Sequence, residues 1–404
     1  MGAPARDIVI VGGGPAGTTT ALALVDAAPE LASRVVLLER ARYPREKPCA
    51  GALGARGDAL LRAIGVEVDV PCAPVDGISF RGAMGEASAS PGAIGRVVRR
   101  IEFDHALALA AAARGIEVRD GVRVEAIRET PAAALVKTSA GEREASVVVG
   151  CDGVGSVVRK ALGLPAGELR AQVIEVDTGP AAGDRARSLL HFDSSDRRVN
   201  GYAWDFPTVV AGRDLWCRGI YHLRIGRGED EGLDLSALLA ERLRSQGLDP
   251  SRCINKRYAE RGFEPAGLLA RGRSMLVGEA AGIDPVTGEG IAQAIEFGVL
   301  AGRFLARALG GASRDGAPAV EAWQREVGAS RLARDLRIRA RLLGLYYGPT
   351  RSDVEALLAE SPDALFVGGQ HFAAHAYDWL RVGEVVARGA SRWAGAWIAR
   401  SLAR

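Results

Sequence analysis

DIVIVGGGPAGTTTALALVDAAPELASRVVLLE, residues 7–39, decides the fold. Its first five residues are a short apolar run that predicts a strand. The run ends in Gly12, Gly13 and Gly14, then come Pro15, Ala16 and Gly17 and the helix-forming TTTALALVDAA. A second strand is expected over Arg34 to Leu38, closing at Glu39. The pattern is β–α–β with GxGxxG at Gly12, Gly14 and Gly17, and an acid 22 residues after the last glycine. Each part has a physical task. Gly12 permits the tight turn, Gly14 lets backbone approach a pyrophosphate, and Gly17 lets helix pack closely on strand. The helix N-terminus, opened by Pro15 and Ala16, offers an anion site through the backbone amides that follow the proline. Glu39 would accept hydrogen bonds from a ribose diol, with Arg40 beside it as a further binding candidate. Strand, helix, second strand and acid all fall in order, so a dinucleotide is expected here.

Composition bounds the rest. The chain has 404 residues, enough for two or three domains. Its 52 basic against 49 acidic residues lack the excess of a nucleic-acid binder, and none is expected as a partner. The five cysteines, at 49, 72, 151, 217 and 253, form no CxxC pair, which argues against structural zinc. His371 and His375 stand i, i+4 without a carboxylate at metal spacing, so no metal site is expected. No apolar run approaches the roughly 18 residues of a membrane span, and no signal layout opens the chain. The expected location is the cytoplasm, free or peripheral at a membrane.

Three further stretches choose among dinucleotides. Residues 147–159, VVVGCDGVGSVVR, read as a strand followed by Asp152-Gly153. Residues 275–298, MLVGEAAGIDPVTGEGIAQAIEFG, read as strand, glycine-rich loop and helix. Ahead of both, residues 99–115, RRIEFDHALALAAAARG, read as a helix preceded by arginine. With GGGPAG, these resemble the motif set of flavin-dependent oxidoreductases whose FAD domain is like that of para-hydroxybenzoate hydroxylase. The resemblance runs over residues 7–300. It implies that Arg100 contacts the FAD phosphate or ribose region and that Asp152 and Gly153 lie near the pyrophosphate and the nicotinamide path. It also implies that the Gly278–Ile291 loop covers the ribityl chain and isoalloxazine, through Glu279, Pro285, Gly288, Gly290 and Ile291. The family usually has aspartate where Glu279 stands.

Two more stretches narrow the resemblance. YPREKPCAGALG, residues 43–54, resembles the KPCGG stretch of geranylgeranyl reductases, and GYAWDFP, residues 201–207, resembles their YxWxFP motif. The chain is identified as similar to that family or to a close paralogue. This implies an FAD-dependent enzyme reducing C=C bonds of an isoprenoid or other apolar substrate. With one dinucleotide fingerprint visible, the donor would be transient NAD(P)H or a ferredoxin-like protein. The alternatives are a monooxygenase (hydroxylase or epoxidase), a halogenase acting on a secondary metabolite, and a prenyl carrier without chemistry. Tyr202, Trp204 and Phe206 alternate along a strand, so their rings share one face; an aromatic wall suits an apolar substrate. Cys49 and Lys47 fall in the turn that would lie near the flavin.

The expected class is α/β: a discontinuous Rossmann-type FAD-binding domain (1–72, 97–165 and 265–330), an inserted mainly β substrate domain (73–96 and 166–264), and a helical region from 331 to 404. In residues 381–404, Val382, Val386, Trp393 and Trp397 share one helical face opposite Arg381, Arg388 and Arg392. Such a helix either covers the protein's own core or a subunit partner, or docks weakly on an anionic membrane surface.

Overall fold

The computed structural model describes residues 7–165, 167–225, 233–310, 320–374 and 379–402. The side chains of 392–402, which include Trp393 and Trp397, and all of His375 lie outside the described residues.

The strand Asp7–Val11 pairs in parallel with Val35–Leu38 on one side and Gly141–Gly150 on the other. Glu117–Arg119 and Ser274–Leu276 extend this parallel sheet at its two sides. Ile8, Val9 and Ile10 are fully buried, as the continuous apolar strands of a sheet covered on both faces must be. The antiparallel strands Ala134–Thr138 and Val124–Glu129 ride on the long Gly141–Gly150 strand. The helix Pro15–Ala27 follows the first strand and packs along the helix Ile291–Gly310. A Cβ at Gly302 would stand 2.5 Å from the Leu24 amide nitrogen, and one at Gly298 would stand 2.8 Å from the Ala16 carbonyl. Glycine at both positions lets the two helices lie backbone to backbone.

A second, seven-stranded sheet runs in the order Lys256–Arg261, Leu169–Thr178, Arg213–Ile225, Gly201–Val210, Leu189–Asp193, Gly77–Gly82, Gly85–Ala89. Its two faces separate by the period-2 alternation of its strands. Ile174, Val176 and Ile220 pack under the helix Leu235–Ser245. Trp204, Phe206 and Tyr221 pack on the other side, toward Leu343 and Phe372 of the C-terminal helices. A small sheet of Ala52–Gly54, Gly95–Val98 and Cys72–Val75 stands between the two large ones.

Beyond residue 330 the chain is helical: Arg331–Tyr347, Arg351–Glu360, Pro362–Ala374 and Trp379–Leu402. These helices do not stand apart; they roof the second face of the seven-stranded sheet. Two arginines of the last helix reach back to the helix before it. Arg381 lies 4.2 Å from the Phe366 ring centroid, and Arg388 is 3.5 Å from an Asp363 oxygen. Leu380 and Val386 are left 83% and 63% exposed. No helix among the described residues is long and apolar enough to cross a membrane.

Candidate active site

The glycine-rich turn needs its glycines for contact as well as conformation. Gly12 has φ +103°, and a Cβ there would stand 2.4 Å from the Cys151 carbonyl oxygen. A Cβ at Gly17 would stand 1.9 Å from the Gly12 carbonyl oxygen, so helix and strand could not close. Pro15 opens the helix, where its missing N–H costs nothing. Over this turn lies Arg100, whose Nη2 would be 3.4 Å from a Cβ on Gly14. Burial works against the Arg100 charge, and Asp104, bonded by two 2.7 Å contacts, more than reverses that. Arg45 bridges Asp104 at 3.0 Å and Glu39 at 3.3 Å, adding a second cation beside the turn.

Glu39 closes the arrangement: its Oε2 accepts from the Gly13 amide at 2.9 Å and its Oε1 from the Ala41 amide at 3.0 Å. Oε2 also faces Arg45, so Oε1 is the oxygen that keeps a further lone pair for a hydroxyl donor. Arg40, next in the chain, is exposed. Asp152 is placed beside the turn by its backbone, with its Cα 2.9 Å from a Cβ built on Gly12. Its carboxylate has a local task, accepting from the Ser156 hydroxyl at 2.5 Å and the Val157 amide at 2.6 Å at the start of the helix Val157–Ala161. Gly153 follows at φ +72°, where a Cβ would stand 3.3 Å from Glu279 Oε2. Glu279 is thus brought to the Asp152–Gly153 turn, across 126 residues of chain. Its Oε1 is sealed from solvent and has no hydrogen-bond partner. Burial pushes this carboxyl upward, against the pull of Lys47 and Arg100.

The glycine cradle, the two cations over it, Glu39 and the orphaned Glu279 oxygen together fit the FAD that the resemblance implies. The turn and its arginines would hold the pyrophosphate, Glu39 a ribose, and Glu279 a ribityl hydroxyl.

Next to this groove is a cavity of about 540 Å³. Its floor is the strand Gly201–Val210. Tyr202, Trp204 and Phe206 project together into it, neighbouring ring centroids 6.3 and 6.2 Å apart, while Asp205 between them turns away to bind Arg242. Trp204 lies across Gly219 of the adjacent strand, where a Cβ would be 2.3 Å from the indole. Ile338, Leu342 and Leu357 of the C-terminal helices line the opposite side. Cys49 and the loop from Val286 to Ile291 close one end. The Cys49 amide donates to Glu175 Oε1 at 3.0 Å, and burial pushes its thiol up, so it is held as a neutral thiol. Lys47 Nζ lies 5.4 Å from the Tyr258 ring centroid, on the same side.

Apart from Tyr202, the side chains that tie cavity to loop are ones the sequence reading passed over. Three tyrosines from three elements hold three consecutive carbonyls. Tyr221 donates to Pro285 at 3.3 Å, Tyr347 to Val286 and Tyr202 to Thr287. Arg339 is ion-paired with Asp284, lies 3.2 Å from Asp335, and is 3.8 Å from Glu289, which also pairs with Arg56. Gly288 turns at φ +67°, where a Cβ would be 2.6 Å from Glu260 Oε2 and 2.8 Å from the Tyr221 ring. Glu260 also lines the cavity. One signal was available in the sequence: Asp335 and Arg339 stand i, i+4 inside a helix that otherwise reads as an arginine-rich surface. Nothing in KRYAER, residues 256–261, distinguishes Glu260 from a solvated strand residue.

Residues 5–317 match the FAD binding domain family. Among curated proteins, the chain is 27% identical to digeranylgeranylglycerophospholipid reductase 2 of Methanothermobacter thermautotrophicus, over 84% of this chain and 88% of that one. It spans only about a third to a half of the length of some other curated relatives. Among solved structures, a geranylgeranyl bacteriochlorophyll reductase-like protein of Thermoplasma acidophilum superposes with a TM-score of 0.64 at 18% identity, covering 95% of this chain and 96% of that one. The flavin-dependent halogenase CmlS superposes with a TM-score of 0.62 at 18% identity, over 95% of this chain and 70% of that one. At such identities the structural likeness speaks for the fold alone. The family match and the cradle it falls on agree: the chain belongs to the FAD binding domain family and is an FAD-dependent oxidoreductase.

Proposed function

We propose that this flavoprotein is a reductase of the geranylgeranyl reductase type, acting on C=C bonds of an isoprenoid or similarly apolar chain. The observation that carries the reading is the aromatic floor of Tyr202, Trp204 and Phe206 in a cavity that closes on the loop from Val286 to Ile291. The digeranylgeranylglycerophospholipid reductases among its relatives support it. FAD, once reduced by NAD(P)H or a ferredoxin-like donor, supplies a hydride. An alkene without an activating carbonyl accepts hydride poorly, so the protein must hold it in one pose and keep water away. The ring floor and the apolar roof supply both. Tyr202 spends its hydroxyl on the Thr287 carbonyl, so it presents a ring rather than a proton to the substrate.

The test is an anaerobic single turnover. Dithionite-reduced protein is mixed with geranylgeraniol, and the product is weighed by mass spectrometry. A gain of two hydrogens is expected. An intact alkene without oxygen, together with a hydroxylated, epoxidised or halogenated product once oxygen and halide are admitted, would replace this reading with an oxygenase or halogenase.

A further inference from the structure

Reducing an alkene needs a proton as well as a hydride, and the cavity must contain or admit its source. Four of the five tyrosines that line it are committed, and the fifth, Tyr346, and the Cys49 thiol are by nature far weaker acids than a carboxyl. Tyr202, Tyr221 and Tyr347 donate to loop carbonyls, and Tyr258 donates to Glu175 Oε2 at 3.2 Å. Asp335, Glu289 and Glu355 are engaged in ion pairs with Arg339, Arg56 and Arg351. Glu260 differs from all of these. It lines the cavity, and its Oε2 is sealed from solvent without a hydrogen-bond partner. That oxygen lies against Gly288 at the cofactor end, where a Cβ would be 2.6 Å away. A bare carboxylate in this position would be an unpaired buried charge, which costs far more than a neutral acid.

Resting on the reductase reading, we propose that Glu260 is a catalytic acid that carries a proton into the cavity and delivers it to the substrate. The hydride from reduced FAD forms a C–H bond at one alkene carbon as the π bond breaks. The Glu260 O–H breaks and its proton forms the C–H bond at the other carbon. The alkene gains two electrons and two hydrogens, the flavin loses two electrons, and the Glu260 carboxylate recovers its proton from water before the next turnover. Burial, the neighbouring Glu279 carboxyl and Asp284 all favour the protonated form; Lys47 opposes them. Gly288 is then glycine for a second reason besides its turn, since a side chain there would fill the space the acid occupies.

The test uses the holoenzyme and its Glu260→Gln and Glu260→Ala variants. Infrared difference spectra of the wild type at neutral pH, in H2O and D2O, should show a protonated-carboxyl C=O band that Glu260→Gln lacks. FAD content should be unchanged in the Gln variant. In anaerobic single turnover with geranylgeraniol, Glu260→Gln should slow alkene reduction by about 10²-fold or more. Acetic acid added to Glu260→Ala should restore part of the rate. Absence of the band, or a Gln variant that keeps pace with the wild type, overturns the role of Glu260 while the reductase reading stands. A wild type that leaves the alkene intact overturns the reductase reading itself, and the acid with it.

Discussion

Arg339 and Asp284 form an ion pair 55 residues apart, joining the helix Arg331–Tyr347 to the loop that ends at Ile291. The Asp284 side chain is wholly enclosed, and its Oδ1 also accepts from the Val286 amide at 2.8 Å. Glu289 and Asp335 share the same guanidinium. The pair thus holds the C-terminal helices and the loop in one piece.

Replacing Arg339 by Met should cost about 3–5 kcal/mol, because three acids are left without their shared cation. Urea unfolding would show this as a lower midpoint. An unfolding free energy within about 1 kcal/mol of wild type would mean that the helices and the loop are held together by apolar packing instead.

Gly12→Ala should yield a colourless protein. The new methyl group would meet the Cys151 carbonyl at 2.4 Å and would require φ +103° of a residue with a side chain. The ratio of flavin to protein absorbance checks it, with circular dichroism to separate loss of cofactor from loss of fold.

Trp204→Ala separates the cavity from the cofactor groove. Trp204 is 2% exposed, so its truncation should cost about 3–5 kcal/mol and slow alkene turnover while sparing FAD content. Loss of the yellow colour in a folded variant would place Trp204 in the cofactor groove.

Glu279→Ala should weaken FAD binding by about 1–3 kcal/mol, the worth of a hydrogen bond to a carboxylate. Fluorescence titration of the apoprotein measures it. Equal affinity would show that a residue other than Glu279 holds the ribityl chain.

Glu260 also makes stability depend on pH in a definite direction. Its native carboxyl titrates well above the usual range of about 4.3, so above that range the unfolded chain releases a proton that the native state retains. Its contribution is therefore complete below the unfolded value and is lost as pH rises toward the native one. The slope is at most about 1.4 kcal/mol per pH unit. Between pH 5 and 8 the urea midpoint of Glu260→Gln should fall less steeply than that of the wild type. Parallel lines for the two proteins would show that Glu260 titrates normally in the fold.

What the sequence disclosed is what chain neighbours can encode. Gly12, Gly14, Gly17 and Glu39 lie within one β–α–β unit, so spacing alone sets their relation. Likewise the alternation of Tyr202, Trp204 and Phe206 puts the rings on one face in any strand. The α/β class follows from such local signals, and the structure has it. The rest depends on contacts that only the closed chain makes. Arg339 reads as one of five arginines on a surface helix until the loop at Asp284 comes up against it. Tyr347 reads as the end of that helix, yet its hydroxyl reaches Val286. Glu39, assigned to a ribose, also secures the Gly13 amide of its own turn, a use visible only when both strands are in register. Arg381 and Arg388 of the last helix both reach Asp363 of the helix before it, a contact that no local spacing announces.

The three tyrosine hydroxyls on Pro285, Val286 and Thr287 make one short segment serve as the wall of two compartments. Tyr202 and Tyr347 grip it from the substrate side, while its far surface meets the cofactor groove. On the proposed reading, a substitution that widens the chamber for a bulkier guest is therefore expected to disturb the flavin's surroundings as well, and a shift in its redox potential would reveal that coupling.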